Sequence, residues 1–170
     1  MTKPIPDDEY IKSQVTKEME DAKTLAKTFE MEEIKSGEWF LKILQHVIRT
    51  HNRNARATYF QKKYPGLPPD DIADILISVV VRYATIAGAV AGVASTANQF
   101  VVASTAGLST PLFIGSLFAE MLYLAQIQIR LVLDLSVVYD LQLDPDDPED
   151  VLMIFGYALG VAPADLIGRG

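Results

Sequence analysis

The stretch from Tyr83 to Ala119 reads YATIAGAVAGVASTANQFVVASTAGLSTPLFIGSLFA, 37 consecutive residues without a charged side chain. Its first part is rich in small residues, Ala87-Gly88-Ala89-Val90-Ala91-Gly92-Val93-Ala94-Ser95. Gly88 and Gly92 form a GxxxG pair flanked by alanines, a spacing that lets a second backbone approach a helix closely. Glycine lowers helix propensity, so the pair points to close packing, and Gly88 and Gly92 are the expected hairpin-packing residues. Ala-Ser-Thr-Ala occurs at 94–97 and again at 103–106. Either the helix continues through this segment, or a short helix and a loop intervene. Ser109-Thr110-Pro111 then restarts a helix, with a hydroxyl cap and proline in the first turn. From Leu112 to Tyr139 that helix is apolar almost all round, as expected at the centre of a bundle or in a membrane.

Outward from this core, Pro69-Asp70-Asp71 opens the helix that carries the small residues, its carboxylates placed at the positive end of the helix dipole. Ile72, Ile75, Leu76, Val79, Val80, Tyr83 and Ile86 give it a wide apolar face. Upstream, Asp7 or Asp8 caps a charged amphipathic helix from Glu9 to about Ile34, with apolar residues stepping by threes and fours. Ser36-Gly37 breaks the chain. A helix follows from Glu38, with the stripe Trp39, Phe40, Ile43, Leu44, Val47 and Ile48, and the segment ends at the turn Tyr64-Pro65-Gly66-Leu67-Pro68-Pro69. Asp147, Pro148 and Asp150 start a short last helix, and Pro163 to Gly170 forms a tail or last turn. The expected fold class is all-α: a helical bundle of about five helices around a hydrophobic central helical hairpin. Residues 1–66 supply amphipathic and basic helices, and 67–170 supply the hydrophobic core of what is expected to be one compact domain.

The chain has 170 residues, 49% of them hydrophobic and 22% charged, with a net charge of −7. Mean hydropathy is +0.17 and the pI is about 4.8. This acidic balance argues against nucleic acid as the main partner, since phosphate binding requires a large basic surface. Charge is uneven: residues 1–63 carry +2 and residues 64–170 carry −9. Lys42, Arg49, Arg53, Arg56, Lys62 and Lys63 follow one another with no acid between them. This run either meets anionic lipid headgroups or an acidic partner, or packs beside the acidic second half. The sequence contains no cysteine, which excludes disulfides and thiolate metal sites. The N-terminus lacks the apolar core of a signal peptide, so the expected location is cytoplasmic, peripheral to the inner membrane.

Catalytic and metal motifs are missing from the text. The acidic run 144–150 lacks calcium-loop spacing and reads as helix capping. His46 and His51 are five apart, off the i,i+4 spacing of a helical metal pair, and read as exposed or interfacial. No nucleophile elbow, Walker or Rossmann pattern occurs. No catalytic residue, metal or cofactor is therefore expected. The charges inside the apolar helices are Arg82, Glu120, Arg130 and Asp134. Buried charge is costly unless paired, and the expected pairs are Arg130 with Asp134 at i,i+4 and Arg82 with Glu120 where the hairpin ends meet.

The order of elements is a small-residue helix, a proline-started apolar helix, then a tyrosine and an acidic-proline loop before a last helix. Carried by Ala87 to Gly92, Gln126-Ile127-Gln128-Ile129-Arg130 and Val138-Tyr139-Asp140-Leu141-Gln142-Leu143-Asp144-Pro145-Asp146-Asp147-Pro148-Glu149-Asp150, it resembles the EcsC family over roughly residues 72–162. Members show a Tyr-Gly pair before the acidic segment; here Tyr139 matches and Asp140 stands in the glycine position. The resemblance implies a bacterial helical protein, named for a gene beside an ABC transporter linked to secretion, with no catalytic residues to carry over. The expected function is non-enzymatic association with a membrane or an apolar protein partner, accessory to transport or secretion; oligomerisation stays open. Two alternatives stand beside it: an effector or toxin that inserts the 83–119 hairpin, and an enzyme on a lipid-like substrate centred on Glu120.

Overall fold

The structure is a computed structural model. It describes the backbone of residues 6–105, 111–144, 147, 149–150 and 153–154, and the side chains of 6–92, 115, 117–144, 147, 149–150 and 153–154. It is an all-α helical bundle, and the described residues include six helices in chain order: α1 Asp8–Ala26, α2 Met31–Ser36, α3 Glu38–Thr50, α4 Arg53–Lys63, α5 Pro69–Thr105 and α6 Pro111–Val138. No strand occurs among the described residues. Glu149, Asp150, Met153 and Ile154 are also helical. The hairpin turn, the residues after Ile154 and the expected tail 163–170 lie outside the described residues.

Two segments expected as single helices are each divided. Between α1 and α2 the Thr28 hydroxyl donates to the Leu25 carbonyl, and Glu33 accepts the Glu30 backbone N–H at 2.8 Å. These side chains satisfy backbone groups that a continuous helix would pair itself. Between α3 and α4, Asn52 turns out of the helix and its side chain accepts the Ala55 N–H at 2.9 Å. Asparagine competes with helical hydrogen bonding in this way, which favours it as a cap. Gly37 and Gly66 take left-handed backbone, φ 81° and 75°, at the two breaks read from sequence.

The chain forms two compact units: Met1–Trp39 with Val79–Leu124, and Phe40–Ser78 with Ala125–Gly170. Each draws on both sides of the 66/67 boundary expected from composition. In the first unit, Ile11, Val15, Met19, Ala22 and Ala26 are the buried stripe of α1. Phe118 of α6 packs edge-on against Phe29 and Trp39, with ring centroids 5.8 and 5.3 Å apart. In the second unit, Ile43, Leu44 and Val47 of α3, Phe60 of α4 and Ile129 and Leu133 of α6 are buried.

α5 begins at Pro69 with Asp70 and Asp71 in its first turn, as its sequence requires, and continues helically through the ambiguous 95–105 segment. At 1.5 Å per residue its 37 residues amount to about 55 Å of helix. The wide apolar face read from sequence is only half-buried; among the described residues the buried positions of α5 are Ala73, Ala87 and Ala91. α6 ends in a Schellman turn. The Leu141 N–H reaches the Ser136 carbonyl at 2.8 Å, the Asp140 N–H reaches Val137, and Asp140 is left-handed at φ 52°. Beyond it, the Asp147 carboxylate accepts the Glu149 N–H at 2.9 Å, the capping role expected of it.

Candidate functional site

Two features stand out: an apolar surface on α5 and α6, and a polar cluster in the second unit. On α5, Val81 is 57% exposed, and Thr85, Gly88, Ala89 and Gly92 are also exposed. The steps 81, 85, 88 and 92 follow the helical period, so these residues form one uncharged stripe. Ile77 on α5 and Leu117 and Met121 on α6 are further large apolar side chains left largely in solvent. Two helical segments, Pro69–Gly92 and Leu117–Val138, are long and apolar enough to cross a membrane. They differ in burial: 11% of the apolar window on α5 is buried against 39% on α6. A core helix of a soluble bundle hides its apolar surface, which fits α6 better than α5.

This corrects the packing role expected of Gly88 and Gly92. Both are exposed, and among the described residues a Cβ added at either would meet nothing within 4 Å. The side of α5 that packs is one residue away, at Ala87 and Ala91, since each step along a helix turns the side chain by about 100°.

The expected ion pairs are also rearranged. Arg82 pairs with Asp8 in the first turn of α1, so its partner is not Glu120. Glu120 is half-buried and makes no ion pair among the described residues. Asp134 pairs with Arg56 and His51, not with its i,i+4 neighbour Arg130. Arg56 Nε donates to Asp134 Oδ1 at 2.7 Å, its Nη2 donates to Oδ2, and His51 Nε2 lies 3.0 Å from Oδ1. With three donors already on the carboxylate, Arg130 is left exposed and has no ion pair among the described residues.

His51, read as exposed or interfacial, is instead largely enclosed, with 11% of its side chain accessible; His46 is exposed. Among the described residues no third potential ligand joins His51 and Asp134 to make a metal cluster. Burial alone would disfavour the Arg56 guanidinium, but the Asp134 hydrogen bond and charge outweigh it and raise its pKa above the ordinary value. Arg56 also lies over the rings of Tyr59 and Phe60.

The basic run is therefore partly neutralised by the acidic second half. Arg53 closes the C-terminal end of α6: its guanidinium donates to the Leu141 carbonyl at 2.7 Å, to Ser136 Oγ and to the Asp140 carboxylate. A cation there complements the negative end of the helix dipole. Lys63 donates to Tyr59 Oη at 2.6 Å. Burial opposes its charge, but that bond and the attraction of Tyr64 and Tyr59 raise its pKa. Lys42, Arg49 and Lys62 remain exposed. Tyr139 donates to Asp70 at 2.8 Å; that bond, slight desolvation and the nearby Asp70 and Asp74 charges raise its pKa.

Two concavities accompany these features. A pocket of about 490 Å³ in the second unit is bordered by Val47, Thr50, His51, Asn52, Ala55, Arg56, Arg130 and Asp134. A groove of about 700 Å³ in the first unit has Asp8, Glu9, Lys12 and Thr16 of α1 on one wall, and Arg82, Thr85, Ile86, Ala89 and Val90 of α5 on the other. No family model, no curated protein and no solved structure matches the chain.

Proposed function

We propose that the protein is a non-enzymatic, membrane-associated helical protein that meets lipid through the uncharged outer face of α5. The observation that carries this reading is that only 11% of the residues in the α5 apolar window are buried, the rest being half-buried or exposed. An apolar helix left that open lacks the burial that stabilises a soluble core helix, and a hydrocarbon phase supplies it. Removing a large aliphatic side chain fully from water contributes about 1.5–3 kcal/mol. Val81 on α5 is about half exposed and offers roughly 1 kcal/mol, and Leu117 and Met121 at the start of α6, exposed to a similar degree, offer roughly 1 kcal/mol each where they also meet lipid. Exposed cations near an anionic surface add about 1 kcal/mol each, and Arg49 and Lys62 are candidates. The total is that of reversible surface binding, comparable to a single acyl anchor and far short of irreversible insertion.

Of the two apolar helices, α6 is the weaker lipid contact, because its later half holds Asp134 against Arg56 and His51. Charges held in such a cluster belong in an aqueous or protein environment. The EcsC-like order of elements supports a role accessory to transport or secretion, and Asp140, in the family's glycine position, has the left-handed backbone that glycine favours.

Vesicle flotation tests the proposal. The protein is expected to float with anionic vesicles, partly released by salt, and less after Val81→Glu. Equal recovery at the bottom of the gradient with and without vesicles contradicts it.

A further inference from the structure

The pocket beside Asp134 differs in chemistry from the apolar face and does not depend on it. Small-molecule pockets are mostly apolar with a few polar groups. This one, about 490 Å³, has two guanidiniums, an imidazole and one carboxylate on its walls. The carboxylate is already engaged: both Asp134 oxygens accept from Arg56, and Oδ1 also meets His51. Arg56 and Asp134 cancel as charges, which leaves Arg130 as an uncompensated cation with no ion pair or hydrogen bond among the described residues. It projects from a helix stretch whose neighbours Ile127, Ile129 and Leu133 are buried.

Donor capacity remains on both arginines, and on His51 only in its protonated form. Arg130 offers its whole guanidinium fork, and Arg56 has committed Nε and Nη2 to Asp134 but not Nη1. His51 contacts Asp134 through Nε2, and its Nδ1 becomes a donor when the ring is protonated. A planar fork bound edge-on, with cationic and imidazole donors around it, matches a tetrahedral oxyanion of several acceptor oxygens.

We propose that the pocket formed by His51, Arg56 and Arg130 binds an oxyanion of the phosphate or phosphate-monoester class. The anion sits against Arg130, with Asp134 as the positioning residue that holds Arg56 and His51. A soluble phosphate ester and a lipid phosphomonoester headgroup present the same group, and the experiment separates them.

Inorganic phosphate and glycerol phosphate are titrated into the full chain by calorimetry, and phosphatidic acid vesicles are compared with phosphatidylcholine vesicles by flotation. The variants are Arg130→Gln, Arg130→Lys and, as a control outside the pocket on α1, Lys17→Gln. Circular dichroism checks that each is folded, and the exposed position of Arg130 favours this. Saturable 1:1 binding is expected, weakened about tenfold or more by Arg130→Gln, the scale of one charge-assisted hydrogen bond. Arg130→Lys is expected to recover part of it, and Lys17→Gln to leave it unchanged.

Binding of glycerol phosphate in solution identifies a soluble ester. Arg130-dependent binding confined to phosphatidic acid vesicles identifies a lipid headgroup. Absence of saturable phosphate binding together with equal phosphatidic acid binding by wild type and Arg130→Gln overturns the proposal. Phosphatidylcholine vesicles report on the apolar face alone, so the two proposals fail separately.

Discussion

Asp134→Ala is expected to be among the most damaging single changes in the second unit. The Asp134 side chain is 13% exposed and serves His51, 11% exposed, and Arg56, 36% exposed. Truncating it strands both partners at once. Breaking a buried ion pair by removing one partner typically costs 3–5 kcal/mol, because the remaining charge stays desolvated. Arg56 is about one-third open to water and recovers part of its solvation, so the lower end applies, about 3 kcal/mol. Against a total stability of 5–15 kcal/mol this is a large fraction. Urea denaturation followed by far-ultraviolet circular dichroism reads it as a lower midpoint, with Arg130→Ala as the comparison. Arg130 makes no ion pair among the described residues, and its loss is expected to cost under about 0.5 kcal/mol. If Asp134→Ala costs less than about 1 kcal/mol, or Arg130→Ala costs as much, the pairing described here is wrong.

Five further outcomes follow from the packing and the backbone. Ala87 is fully buried while a Cβ at Gly88 meets nothing within 4 Å among the described residues. Ala87→Leu should therefore cost about 1–3 kcal/mol by overpacking. Gly88→Ala should stabilise the lipid-free protein by roughly 0.5–1 kcal/mol, and both are read from thermal melts. Phe118→Ala removes a buried ring that meets both Phe29 and Trp39. It should cost about 3–5 kcal/mol and shift the emission of Trp39, the sole tryptophan, to the red. At Asp140, φ 52° disfavours a β-branched side chain, so Asp140→Val should lower stability by about 1–2 kcal/mol. Asp140→Gly should not lower the melting temperature, because the ion pair it gives up is an exposed one.

What the sequence made legible was local. Pro69-Asp70-Asp71, Gly37 and Gly66 marked element ends through backbone geometry that glycine or proline dictates, and those ends stand. The breaks before α2 and at Asn52 were missed because ordinary polar side chains make them, with neither glycine nor proline as punctuation. The ion pairs were misassigned for a different reason. The nearest opposite charge on the same helix, Arg130 for Asp134, loses to Arg56 and His51, which are 78 and 83 residues away in sequence. Gly88 and Gly92 suggested close approach, yet which side of α5 faces the core depends on a rotation of one residue, which composition does not specify. The uncharged 83–119 stretch was plain from the start; that α5 keeps its outer face open was not.

The central claim is that the outer face of α5 enters an apolar lipid environment, and the chain suits a direct measurement because it has no cysteine. An environment-sensitive fluorophore attached to Val81→Cys, on the exposed stripe, is compared with one on Asp21→Cys, exposed on α1. On addition of anionic vesicles the label at 81 is expected to shift to the blue and brighten, while the label at 21 changes little. A label at 81 that keeps its aqueous spectrum at saturating lipid contradicts the account.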